Sequence, residues 1–200
     1  MPKVTNGQDL WGFQLWVNLA QKDKMVKPRY QDYQADEIPV YESPEVRVRV
    51  MAGTAYGHTG PIDMRNPGML LDVTVKPGGK FVTEVPEDYN VFCYVCDGSG
   101  KVGGREASRE HAVLFEPGGN AVDATADARL MRFLLVAGRP IGERVVQYGP
   151  FVMNTEQEIR QAFLDYRSGK LQDPGDDVWA SWEDCHRQGG HGGVPPVGHA

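Results

Sequence analysis

Cysteine is scarce in this chain, with three residues in 200, an odd number that builds no disulfide framework and fits a reducing compartment. Long apolar runs are missing too. No stretch approaches the roughly 18 apolar residues of a membrane span, and the opening residues lack the apolar core of a secretory leader. The expectation is therefore an intracellular soluble protein with no membrane partner. Clusters of Lys and Arg are also absent, and the formal net charge is -6 with a pI near 5.4. Sequence-independent binding to phosphate backbones needs a basic surface, so direct binding to nucleic acid is not expected.

Glycine and proline, by contrast, are plentiful, at 24 and 14 residues. They separate short apolar runs rather than gathering in one low-complexity block, which is the punctuation of an all-β domain. From Glu45 the period is two, Val46, Val48 and Val50 alternating with Arg47 and Arg49, as in a half-buried strand. Similar runs recur at MLLDVTV (69–75), NVFCYVC (90–96), HAVLF (111–115), RLMRFLLVA (129–137) and ERVVQY (143–148). Leu130, Phe133 and Leu135 cannot share one face of a strand, which calls for burial on both sides or a bulge. The pattern predicts one antiparallel β-barrel or sandwich over residues 45–149.

One helix is predicted after it, over 155–168. Thr155 and Glu158 have capping-box spacing, Ile159, Ala162, Phe163 and Tyr166 make an apolar stripe, and Gly169 stands at the C-terminal cap. We expect Ile159, Phe163 and Tyr166 to pack against the barrel. At the other end, WGFQLWVNL (11–19) reads as a strand with Trp11, Phe13, Leu15, Val17 and Leu19 on one face. Residues 20–43 read as a polar linker. Residues 172–200 are polar apart from Val178, Trp179 and Trp182, and are expected to be disordered. The chain thus divides into 1–44, 45–171 and 172–200.

Few motifs carry chemistry. Cys93 and Cys96 form a C-x-x-C, but positions three apart on a strand face opposite ways, and no second pair completes a zinc site. Burial as a small hydrophobe is the better reading. GSGKVGG (98–104) lacks the order of a phosphate-binding loop and reads as a hairpin turn. The five histidines form no H-x-H pair. His186, His191 and His199 fall in the tail, and His58 and His111 are more than fifty residues apart. A single imidazole such as His111 is more often a hydrogen-bonded structural group than a ligand.

The segment QYGPFVMNTEQEIRQAFLDYRSGK (147–170) closely resembles the C-terminal signature of pirins, two-barrel proteins of the cupin superfamily. LWVNLAQKDKMVKPRYQDYQADEIP (15–39) is similar to the junction between the family's two barrels, and LLVAGRPIGERVVQYGPF fits the last barrel strands. The resemblance covers about residues 10–170. It implies a cupin-like barrel with one C-terminal helix, corresponding to the family's second barrel. It also implies that iron, held in pirins by three histidines and a glutamate, belongs to the first barrel. The last metal-binding stretch of the family reads His-Ser-Glu-Met-Pro, and this chain starts Met1-Pro2, so all four ligand positions are expected upstream of residue 1. Where a metal-binding cupin would carry His-x-His, residues 77–87 read PGGKFVTEVPE.

No catalytic, cofactor-binding or metal-ligating residue is assigned on this basis, and no cofactor is expected in this chain. The resemblance implies a nuclear or cytoplasmic location and a non-catalytic role with protein partners, transcription regulators among them. The alternative is an iron-dependent quercetin dioxygenase whose N-terminal half lies outside this chain. A third reading is a barrel enclosing one small ligand. The segment 11–19 would have lost the core that covers it, which makes Trp11, Phe13, Leu15 and Val17 a candidate interface for self-association.

Overall fold

A computed structural model describes residues 12–171. In chain order the strands are β1 (Val40–Glu42), β2 (Val46–Ala52), β3 (Thr54–Ala55), β4 (His58–Thr59), β5 (Gly68–Val75), β6 (Lys80–Glu84) and β7 (Asn90–Asp97). They continue as β8 (Ser99–Val102), β9 (Arg105–Ser108), β10 (Ala112–Leu114), β11 (Ala121–Ala126), β12 (Met131–Gly138), β13 (Val146–Tyr148) and β14 (Phe151–Met153), before the helix α1 (Glu156–Arg167). A six-stranded sheet of order β1-β2-β5-β12-β7-β10 faces a four-stranded sheet of order β6-β11-β8-β9, and every pairing is antiparallel. The all-β class with a single helix is the one predicted.

Alternation decides which side chains fill the space between the sheets. Along β2 and β12 every second residue is buried, so Val46, Val48 and Val50 meet Met131, Phe133 and Leu135 in one core. Phe133 and Leu135 point inward and Leu134 outward, as a period of two demands. The burial on both sides or bulge expected over 129–137 is corrected: β12 alternates without interruption, Leu130 precedes it and is 43% exposed, and the irregularity lies in the neighbouring β7. Arg132 pairs with Asp97 and Phe133 with Val95, leaving Cys96 as the extra residue.

Two glycine sites are set by geometry. GSGKVGG is the hairpin between β8 and β9, with Gly103 at φ +55° and Gly104 at φ +73°, the positive values a two-residue turn requires. A side chain on Gly98, where β7 leaves the six-stranded sheet for β8, would collide with the carbonyl oxygen of Leu130.

Several expectations are corrected. Residues 12–20 pair with no strand among the described residues, so the strand expected over 11–19 does not form in its described part; Trp11 lies outside the described residues, as does the tail from 172. The linker holds a 3-10 turn at Gln21–Asp23 and the edge strand β1, whose Val40 and Tyr41 pair with Arg49 and Val48. The helix keeps its predicted caps. The Thr155 hydroxyl accepts a bond from the Glu158 amide at 3.2 Å, and Gly169 and Lys170 donate to the carbonyls of Tyr166 and Asp165 in a Schellman closure. Its packing differs from expectation. Phe163 meets Phe151 and Tyr148 edge to face, with ring centroids 4.9 and 5.7 Å apart, so α1 lies on the separate β13–β14 hairpin and not on the barrel; Tyr166 is half-exposed. Three bonds tie this unit to the linker: the Gln21 amide donates to Glu143, the Gln21 side chain to Glu158 (both 2.7 Å), and Lys24 to the carbonyl of Val152 at 3.0 Å.

Candidate functional site

Inward-facing positions leave the barrel without an obvious site. Phe81 and Phe133 meet edge to face at 5.5 Å, and Met131, Leu71 and Leu135 close around them, all without solvent exposure. An enclosed ligand, the third reading of the sequence, finds this lumen filled with side chains.

The openings are on the other side of the six-stranded sheet. Its outward residues come from alternate positions: Met51 on β2, Leu70 and Asp72 on β5, Leu134 and Val136 on β12, Phe92 and Tyr94 on β7. Residues 12–15 cross this face, and the rings of Phe13 and Tyr94 meet edge to face at 5.5 Å. A cleft of about 520 Å³ opens between the crossing segment and the sheet. A second, of about 770 Å³, continues it between residues 15–19, the loop around Asp63 and residues 138–143. Leu15, Leu70, Phe92 and Val136 line both.

One polar feature interrupts this apolar surface. Arg132 donates to both carboxylate oxygens of Asp72, Nε to Oδ1 at 2.8 Å and Nη2 to Oδ2 at 2.7 Å. The bidentate fit makes burial of the carboxylate tolerable. Hydrogen bonding to Asp72 holds the guanidinium pKa above its ordinary value, outweighing the desolvation that acts the other way. Asp72 is buried, whereas the Arg132 side chain is 41% exposed, so the pair shows the cleft its cationic end.

Cys96 lies beside this pair and Cys93 lies in the core, so the two face opposite sides of the sheet as expected. Burial pushes the Cys93 thiol up to about 12 and also raises Cys96; for Cys96 the Arg132 charge opposes that shift. Neither is an activated nucleophile. His111 is exposed, its Nδ1 accepting from the Ser108 amide at 3.1 Å, a structural role in a turn. His58 sits on the short β4. Of the candidate interface residues, Phe13, Leu15 and Val17 are each 43–49% exposed, with Phe13 and Leu15 forming a wall of the cleft. The Asp72–Arg132 pair was missed in the sequence, where both residues look like wet-face positions of alternating strands.

Residues 70–172, just over half of the chain, match the Pirin C-terminal cupin domain. The chain belongs to the pirin family. A pirin-like protein of Solanum lycopersicum is 42% identical over 162 residues, which cover 80% of this chain and 56% of that protein. Human pirin is 37% identical over 163 residues, covering 80% and 56%. The chain spans about half the length of the curated relatives it matches. Among solved structures, a quercetin 2,3-dioxygenase from Acinetobacter baumannii superposes with a TM-score of 0.73 at 30% identity, covering 78% of this chain and 55% of that one. A Geobacillus kaustophilus protein gives a TM-score of 0.62 at 32% identity, covering 65% and 54%.

Pirins are associated with iron, and the residues of this lumen do not fit that metal. The inward positions of β6, which would carry histidines in a metal-binding cupin, hold Phe81 and Thr83. Among the described residues no three His, Cys, Asp or Glu side chains gather closely enough to hold a metal ion.

Proposed function

We propose that this chain works as the metal-free cupin half of a pirin, a non-catalytic module that binds protein partners, transcription regulators among them, in the nucleus or cytoplasm. The observation that carries this reading is the lumen itself: aromatic and aliphatic side chains, Phe81 and Phe133 at their centre, stand where a catalytic cupin needs imidazoles and open volume. Such a barrel offers surfaces rather than a reaction chamber. The half-exposed Phe13, Leu15 and Val17 support contact with another protein or a second copy, because apolar clusters at a surface favour association.

The second reading is an iron-dependent pirin of the quercetin dioxygenase type whose metal-binding half is supplied outside these residues. It is favoured by the likeness to a structure named as a quercetin 2,3-dioxygenase, of which this chain matches 55%.

One experiment tests the first reading. The purified chain, refolded with ferrous iron and desalted, is analysed for metal and assayed for quercetin oxidation. The expected result is no stoichiometric iron and no turnover. One iron per chain, lost on replacing His58 or His111, would overturn the non-catalytic reading.

A further inference from the structure

The helix α1 commits only part of its surface to packing. Ile159 and Ala162 are buried, and Phe163 lies on the β13–β14 hairpin. Arg160, Leu164 and Arg167 follow one another at i, i+4 and i+7 and share an exposed face. Leu164 is 58% exposed, and neither arginine has a hydrogen bond or ion pair among the described residues. The neighbouring acids are not bound to them. Glu156, one turn before Arg160, makes no ion pair with it among the described residues, and Asp165 is buried, accepting from Gln161 at 2.9 Å and standing 3.5 Å from Lys170. The result is an apolar side chain between two unpaired cations, roughly 10 Å apart along the axis. No residue of α1 lines either cleft, so this stripe is separate from the seam under residues 12–19.

The sequence that continues from α1 is the complement of the stripe. Residues 172–184 carry five acids, Asp173, Asp176, Asp177, Glu183 and Asp184, and no Lys or Arg, with Val178, Trp179 and Trp182 among them. Asp173-Pro174-Gly175-Asp176 has Pro and Gly at the central positions that favour a reversing type II turn. Trp179 lies eight positions beyond Leu171, a reach of roughly 26 Å, against about 18 Å for the whole of α1. We propose that residues 176–184 dock back on the Arg160–Leu164–Arg167 stripe. The indole rings of Trp179 and Trp182 cover Leu164, and the acids on either side of them pair with the two guanidiniums. The tether supplies a high effective concentration, and an indole over a guanidinium adds cation–π attraction. The proposal exempts 176–184 from the disorder expected of the tail. It goes beyond the partner-binding module and does not depend on it.

The full chain carries its own probe. Cys185 directly follows the segment, and with Cys93 and Cys96 buried a nitroxide reagent labels it selectively. Paramagnetic relaxation is read at the amides of Arg160, Leu164 and Arg167, with Lys101 and Glu106 on the four-stranded sheet as references. Trp179→Ser with Trp182→Ser keeps the tether length and should lower the enhancement at the stripe at least threefold. Arg160→Gln with Arg167→Gln should do the same; Leu164→Gln, at an exposed position, gives the same reading if the arginine pair does not fold. A peptide of residues 172–187, added to the Trp-substituted chain, should shift the amides of the stripe saturably and bind the native chain at least tenfold more weakly. Equal enhancement in the native and Trp-substituted chains overturns the proposal, because the tail is then only tethered nearby, and so does a peptide that does not bind. Broadening of an unlabelled, isotope-enriched chain by a nitroxide-labelled one would assign the stripe to a second copy and overturn the proposal as well.

Discussion

Phe81 and Phe133 reach toward each other from opposite sheets and meet edge to face, their ring centroids 5.5 Å apart at an interplanar angle of 82°. Arg132 and Leu134, the neighbours of Phe133 in sequence, point the other way and build the outer-face cleft. One strand thus holds the core with one set of side chains and shapes the candidate site with the other.

That division sets the first prediction. Phe133→Ala should destabilise the chain by about 3–5 kcal/mol, through lost transfer energy and the cavity left behind. Leu134→Ala should cost about 1 kcal/mol or less, because its half-buried side chain leaves no enclosed void. Urea unfolding midpoints check both, and equal losses would mean that the faces of β12 are misassigned.

Removing Arg132 alone is expected to be worse than removing the pair. Arg132→Gln strands the Asp72 carboxylate in a buried position and should cost about 1–3 kcal/mol, below the usual figure for a fully buried pair because the guanidinium is partly exposed. Adding Asp72→Asn should recover part of that loss. A double-mutant cycle on unfolding free energies measures the coupling.

Glu158 gives a pH dependence. Its carboxyl is held below the ordinary range, first by the Gln21 side chain and then by bonds from Thr155 and Asn154. A depressed folded-state pKa contributes stability that is present above the unfolded value of about 4.3 and is lost as pH falls through the folded value. Thermal midpoints should therefore fall on acidification. In Glu158→Gln or Gln21→Ala that acid limb should be shallower.

Thiol reactivity should follow the faces of β7. In a Cys185→Ser background, iodoacetamide at neutral pH should leave Cys93 unmodified in the folded chain and label Cys96 at most slowly, since burial raises both thiols. Both should react at once in denaturant. Mass spectrometry of the labelled peptides distinguishes the sites.

If residues 11–19 drive self-association, Phe13→Lys with Leu15→Glu should shift the sedimenting species toward monomer. An unchanged monomer before and after substitution would show that packing against Tyr94 and the sheet satisfies the segment within one chain.

What could be read in advance was local. The caps of α1 depend on residues within one or two turns, and Thr155, Glu158 and Gly169 announce them without reference to the rest of the chain. The Val-rich alternation of β2 was equally plain. Strands β6 and β11 were not named, because each shows only two or three modest inward residues, Phe81 and Thr83 or Val122, Ala124 and Ala126, and they exist through mutual pairing across forty residues. Segment 12–19 shows the converse: a strand-like period gave no strand where no ladder partner stands among the described residues. The cleft was illegible for a related reason. Asp72 and Arg132 stand 60 residues apart, and only the register of β5 against β12 brings them together.

The extra residue in β7 works as a change of parity within a single strand. In an uninterrupted strand Cys96 and Asp97 would take opposite faces, whereas the doubled step lets Cys96 line the cleft while Asp97 pairs with outward-facing Arg132. The electrostatic character of the cleft is therefore written in the length of β7 as much as in its composition. Deleting one residue there would be expected to restore an even ladder and withdraw one of those two neighbours from Arg132, altering the site without touching any charge in it.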